Sequence, residues 1–331
     1  AIPVGSALPK MVCLGGCVGK ADASVLTATN SGNISIGTST GEPVSLGTSC
    51  YGGIVGKSDM AAADGAIKNA TNNGSLSLYL NCPGTSHIGG IMGQADSADI
   101  TAFDTADNHG AITLKNSSTG AIYAAGITPY LYKGGQNLTN HATATIDITT
   151  NSTGSTYVSG IGGYIKANSS DLLNQGNITI NGMAKGLTLI AGFSANAAAA
   201  ISLTDVKNEG DITFNADVMY NADQDLRIGG LQADSNAAQT WTNCYNKGNI
   251  TITKDVTVTA GTYSKYMFVG GLSAALRSVA QTYKNCYNSG NITIEEGSSI
   301  VKGPYTGGCF GYVNTSPAID ATDGIRNIGT I

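Results

Sequence analysis

Apolar and polar residues alternate with a period of two in short stretches along the whole chain, and these stretches return at nearly fixed intervals. The inward pairs are Ile34 and Ile36, Leu76 and Leu78, Ile112 and Leu114, Ile146 and Ile148, Ile178 and Ile180, Ile212 and Phe214, Ile250 and Ile252, Ile292 and Ile294. Ser or Thr mostly stands between the members of each pair. This pattern, rich in β-branched residues, predicts half-buried strands. No stretch carries the helical period.

Each alternating stretch follows an Asn-x-Gly motif. Its asparagines are Asn30, Asn72, Asn108, Asn140, Asn174, Asn208, Asn246, Asn288 and Asn327. The glycine two residues on is missing only after Asn140, where Ala142 stands and two extra residues delay the strand. A second motif pairs two glycines, as in Gly52-Gly53 and Gly270-Gly271, with weaker copies such as Ala125-Gly126, Ser159-Gly160 and Ala191-Gly192. The two motifs alternate strictly, and the second glycines lie 32 to 41 residues apart. Residues two before the asparagine are all apolar, from Ala28 to Ile325, and read as an inward column. Residues four before it are mostly polar and read as an outward one.

Each repeat therefore offers three extended pieces: across the Gly-Gly motif, before the asparagine, and after the Asn-x-Gly glycine. None can bury its apolar side alone, but stacked copies share one continuous core. The expected fold is all-β, a single-stranded parallel β-helix of about nine coils of ~36 residues with three short strands each. The coils fall near residues 11–36, 48–78, 86–114, 122–148, 157–180, 188–214, 227–252, 267–294 and 305–331, in one domain spanning 1–331. At ~4.8 Å per coil the rod is roughly 40 Å long. The asparagine is expected at a bend, where it tolerates left-handed dihedrals and forms an amide ladder with its copies. Its glycine relieves the bend, and the double glycine permits a close backbone approach. All nine asparagines are read as structural.

Composition narrows the function. Only 12% of residues are charged and the net charge is −5, so no basic surplus exists to neutralise a phosphate backbone and nucleic acid is excluded as a partner. No apolar run is long enough for a spanning helix. The start at Ala1-Ile2-Pro3 shows no leader pattern, and the final repeat stops within its third strand, so the chain is expected to belong to a longer protein. The seven cysteines form no zinc pattern. Cys244 with Cys286 and Cys13 with Cys50 fall in common columns and read as small buried hydrophobes, with neighbouring disulfides an alternative.

Candidate binding residues come from insertions, which in solenoids gather on one edge. Extra residues near 37–49, 215–227 and 253–266 include Asp217, Tyr220, Asp223, Asp225, Tyr263 and Tyr266, a set able to grip a sugar or, weakly, Ca2+. A second acidic cluster, Asp96, Asp99, Asp104 and Asp107, supplies the carboxylates that glycoside hydrolysis needs. His109 and His141 each follow a motif asparagine and should stack outside, without a third metal ligand. Tyr245 and Tyr287 should form an outward pair. No metal centre, cofactor or convergent catalytic set is expected.

The stretches Val269-Gly-Gly-Leu-Ser, Lys284-Asn-Cys-Tyr-Asn-Ser-Gly-Asn and Trp241-Thr-Asn-Cys-Tyr-Asn-Lys-Gly-Asn resemble GLUG-type repeats of secreted and cell-surface bacterial proteins, notably of Bacteroidales. The likeness covers most of the chain by period and is sharpest from Gly229 to Gly311. It implies an extracellular or cell-surface module for adhesion or spacing, with a glycan, a matrix protein or neighbouring domains as partner. No catalytic residue travels with the repeat. A polysaccharide-binding or polysaccharide-cleaving β-helix, and a subunit assembling end to end, are the alternatives.

Overall fold

The computed structural model describes residues 11–38, 43–60, 65–95, 102–218, 225–253, 266–277, 281–298, 305–314, 319–320 and 324–331. Every regular element among them is a strand, every pairing is parallel, and the strands stack as a β-solenoid. The repeat columns of the sequence are the registers of the sheets. Ile178 pairs with Ile212, Ile212 with Ile250 and Ile250 with Ile292, so each alternating stretch lies on the next.

The structure corrects the coil in two respects. A turn has four faces rather than three, because the strand expected across the double glycine is broken there. In one turn the faces are Met267–Gly270, Ser273–Leu276, the stretch Gln281–Lys284 with Cys286–Asn288, and Ile292–Ile294. We call them faces one to four. The nine levels are also unequal. Nine strands line face one, but the buried core is concentrated in the seven turns from 48 to 294. The first and last levels each have an uncovered side, and their inward residues, such as Val12 and Ile325, stay only partly buried.

The core is divided. One apolar column joins faces one and four, with Ile88, Val158, Ile190 and Ile228 against Ile112, Ile178, Ile212 and Ile250. The other joins faces two and three, with Ile91, Ile161, Phe193 and Leu231 against Leu138, Leu172, Val206 and Cys244. Between them runs the asparagine ladder. Asn140 Nδ2 donates to Asn174 Oδ1 at 2.8 Å, Asn174 to Asn208 at 2.7 Å, and Asn208 to Asn246 at 2.7 Å. The row is unbroken from Asn30 to Asn327. The second amide hydrogen of each goes to its own bend, as in Asn174 Nδ2 to the Gly176 carbonyl at 3.0 Å. In the coil without the glycine, the Ala144 carbonyl takes that place at 3.1 Å, so the two extra residues are absorbed before the ladder geometry resumes.

The two sequence motifs meet in space. A Cβ on Gly160 would lie 2.2 Å from Asn174 Cγ, and one on Gly230 2.4 Å from Asn246 Cγ. The same contact recurs at the second glycine of all nine Gly-Gly copies, from Gly16 to Gly308. The double glycine thus lets the corner between faces one and two press against the amides, pinching the cross-section into a waist. Outside that pinch, faces one and two fold toward each other and leave a notch along the rod.

Left-handed dihedrals occur, but not at the ladder asparagines. Apart from isolated glycines, they fall three residues earlier, at Thr27, Asn69, Thr105, Asn137, Asp171, Asp205, Asn243 and Asn285, with φ between 47° and 60°, and Gly324 takes the same position in the last coil. Asn and Asp dominate because their short side chains tolerate this region best. The kink also inverts the side-chain phase. Residues two before the asparagine point in, residues four before it point out, and residues five before it, including Phe103, Leu203, Trp241 and Tyr283, point in again. A β-branched side chain is strained at such a φ. Thr105→Asn is therefore expected to raise stability by about 1 kcal/mol, read as a higher urea midpoint.

Candidate functional site

The notch is lined by two columns that flank the double glycine. On face one the column runs Cys50, His87, Tyr123, Tyr157, Leu189, Arg227, Phe268 and Tyr305. On face two, Lys57 pairs with Gln94, and Tyr130, Tyr164, Asn196, Asp234, Ala275 and Tyr312 continue at the same position. Facing residues complete one another. Cys50 Sγ donates to Gln94 Oε1, and Tyr130 Oη lies 2.9 Å from His87 Nδ1. Tyr123, Tyr130, Tyr157 and Tyr164 pack ring against ring at 5.0 to 6.1 Å. Through these turns the notch is filled by its own side chains.

Burial holds the His87 imidazole near pKa 4, so it stays neutral in its hydrogen bond with Tyr130. Its unfolded value is 6.5, so between pH 6.5 and about 4 only the unfolded chain binds the proton, and stability falls as pH falls through that window. The expected loss is on the order of 3 kcal/mol. His87→Gln should flatten the pH dependence of the urea midpoint over this range.

The notch opens where the face-two column narrows to Ala275. A cavity of about 410 Å³ lies there, lined by Asp225, Arg227, Tyr266, Phe268, Arg277, Tyr305 and Tyr312. Phe268 is nearly buried, 5% exposed, while Tyr266 and Tyr305 are 37% and 47% exposed at the mouth. Phe268 lies 5.5 Å from the Tyr305 ring and 4.8 Å from the Tyr312 ring. Tyr266 meets Tyr305 edge-on at 5.3 Å. Behind the rings sits a charged network. Asp234, 1% exposed, receives Arg277 Nε at 2.8 Å and Nη2 at 2.5 Å, and Arg227 Nη1 lies 2.7 Å away. Arg227 Nη2 also reaches Asp225 Oδ2 at 2.5 Å. Arg227 is itself 5% exposed, and its Nε has no acceptor. Two guanidiniums and two carboxylates leave the network with no net charge.

Of the residues singled out in the sequence, the structure brings Asp225 and Tyr266 into this cavity. Asp217 lies on face four, in register with Met183, and is not part of its lining. Tyr220, Asp223 and Tyr263 lie outside the described residues, as do Asp96 and Asp99. Asp104 and Asp107 engage different groups. Asp104 lines a shallow polar groove with Lys68, Lys133 and Gln136, and hydrogen bonding from Gln136 holds its carboxyl below the usual range. Asp107 Oδ1 contacts His141 Nε2 at 3.1 Å. His141 stacks on His109 with ring centroids 3.8 Å apart, and Tyr245 stacks on Tyr287 at 5.2 Å, as their columns required. Trp241 is buried, stacked against Tyr283. All seven cysteines are free thiols, and burial pushes the Cys244 thiol well up.

Among the described residues, no group of three His, Cys, Asp or Glu side chains could hold a metal ion, and no helix is long and apolar enough to cross a membrane. Arg227, Asp234, Phe268, Arg277, Tyr305 and Tyr312 were not singled out by sequence reasoning. Their signal was the pairing of the residue two before the first glycine with the residue four after the second: Tyr123 with Tyr130, Tyr157 with Tyr164, Arg227 with Asp234. Comparison with protein-family models, with curated proteins and with solved structures gave no match.

Proposed function

We propose that this chain is a non-catalytic recognition module of the bacterial cell surface or extracellular space, which holds carbohydrate in the open stretch of the notch. The observation that carries this reading is the aromatic-walled cavity at Tyr266, Phe268, Tyr305 and Tyr312, backed by the Arg227–Asp234–Arg277 network. Aromatic faces at the mouth suit the apolar face of a sugar ring, and fixed polar groups behind them suit its hydroxyls. The carboxylates are committed to arginines, which favours binding over acid–base work on a glycosidic bond. The rod below the site serves as a spacer. This reading joins the adhesion role implied by the GLUG-like repeats with the carbohydrate contact offered by the insertions.

The test is a glycan array with the purified chain, with host matrix proteins alongside. A glycan signal lost in both Tyr305→Ala and Arg277→Ala supports the reading. Absence of any glycan or matrix signal returns the chain to a passive spacer.

A further inference from the structure

We infer that the notch selects an uncharged pyranoside over an acidic sugar, an inference that rests on the carbohydrate reading above. The cavity lies at the level where the face-two column carries its smallest residue, Ala275, which is itself buried in a cluster with Phe268. Across the face-two column, neighbouring turns place Asn196, Asp234 and Tyr312 in the notch, whereas Ala275 contributes only a methyl group. The cavity of about 410 Å³ falls in the lower part of the range for small-molecule sites, ~300–1,000 Å³. It is bounded by the Phe268, Tyr305 and Tyr312 rings and by the two arginines.

The electrostatics decide the ligand class. Arg277 is held in a bidentate pair on Asp234, and Arg227 bridges Asp225 and Asp234. The positive charge is thus already matched inside the site. A sugar carboxylate would add an uncompensated negative charge beside Asp225 and Asp234, and its desolvation would be repaid only by breaking an existing ion pair. A hydroxyl has no such cost. It can accept from an N–H of the half-exposed Arg277 guanidinium and donate its own hydrogen to the Asp225 carboxylate, both of which line the cavity. A hydroxyl pair on a ring seated against Tyr305 matches a donor and an acceptor held behind an aromatic wall.

The experiment titrates the full chain with methyl glucoside, galactoside and mannoside and with the corresponding methyl uronides, at low and high salt, by calorimetry. At least one neutral pyranoside should bind, with its uronide roughly tenfold or more weaker, a difference of about 1.4 kcal/mol. The neutral sugar's affinity should be unchanged by salt, since no net charge is exchanged. Tyr305→Ala should abolish binding while the urea midpoint stays near that of the wild type, because this ring stands 47% exposed at the mouth. A uronide that binds more tightly and weakens with salt would overturn the inference and leave carbohydrate binding standing. Binding that persists in Tyr305→Ala would place the site elsewhere and overturn it too. Failure of all six sugars would remove the carbohydrate reading and this inference together.

Discussion

Gly160→Ala is expected to lower stability by about 3 kcal/mol or more, a larger effect than most surface or even core substitutions in this chain. A methyl group at this position would stand 2.2 Å from Asn174 Cγ and 2.2 Å from the Gly192 carbonyl oxygen. One neighbour is an amide fixed by hydrogen bonds above and below, and the other is backbone of the next coil. Neither can yield without opening the waist and separating the strands at that level. The control is Gly19→Ala, where the added methyl meets only the Cys13 carbonyl at 3.5 Å and should be nearly silent. The single tryptophan, Trp241, is buried in the core and reports unfolding by fluorescence in urea. Equal midpoints for the two variants would show that the double glycine does not set the waist.

The second large effect belongs to the ladder. Asn174→Ala removes the acceptor of Asn140, the donor to Asn208 and the donor to the Gly176 carbonyl. These three groups remain buried without partners, at ~1–3 kcal/mol each before relaxation, so a net loss on the order of 4 kcal/mol is expected. Asn174→Asp has nearly the same shape but no amide hydrogens, and it brings a charge into the core. Burial raises such a carboxyl's pKa above its unfolded value, so the deficit against the wild type should grow as pH rises above ~4 and shrink below it. Position matters as well. Asn327 is exposed and has one ladder link, from Asn288, so Asn327→Ala should cost only about 1 kcal/mol. Urea midpoints across pH 3.5 to 8 (a range chosen to bracket the usual carboxyl value of ~3.9) check both statements. Similar costs at positions 174 and 327 would argue against a cooperative interior row.

The fold was legible because its signals are local and repeated nine times. Period-two alternation marked face four, and the asparagine spacing marked the stacking register. What stayed hidden were features that require one coil to be seen in cross-section. The left-handed residue was assigned to the ladder asparagine because asparagine favours that region, yet the ladder needs a regular inward side chain and the kink falls three residues earlier. The clue was the switch from inward Ala70 to outward Lys68 two residues away, which an unbroken strand does not permit. The double glycine was understood as a close approach, but its partner, the Asn amide, lies 14 to 19 residues further along the chain. The binding notch follows from that contact. Without the waist, Arg227 and Asp234 are merely outward residues on two strands. Of the insertion residues, Asp225 and Tyr266 reached the cavity because they stand two positions before Arg227 and Phe268 on face one.

Spin labels on face four test the stacking itself. Thr113, Thr179, Thr213, Thr251 and Thr293 occupy one outward register column, joined through Asp147 between the first two. Pairs of labels on these threonines, measured by pulsed dipolar spectroscopy, should give separations that grow by ~4.8 Å per coil, reaching about 24 Å between positions 113 and 293. Narrow distances rising linearly with coil number are the expected result. Broad distributions, or distances that bear no relation to the number of repeats between the labels, would contradict the in-register stack and with it the waist, the notch and the site.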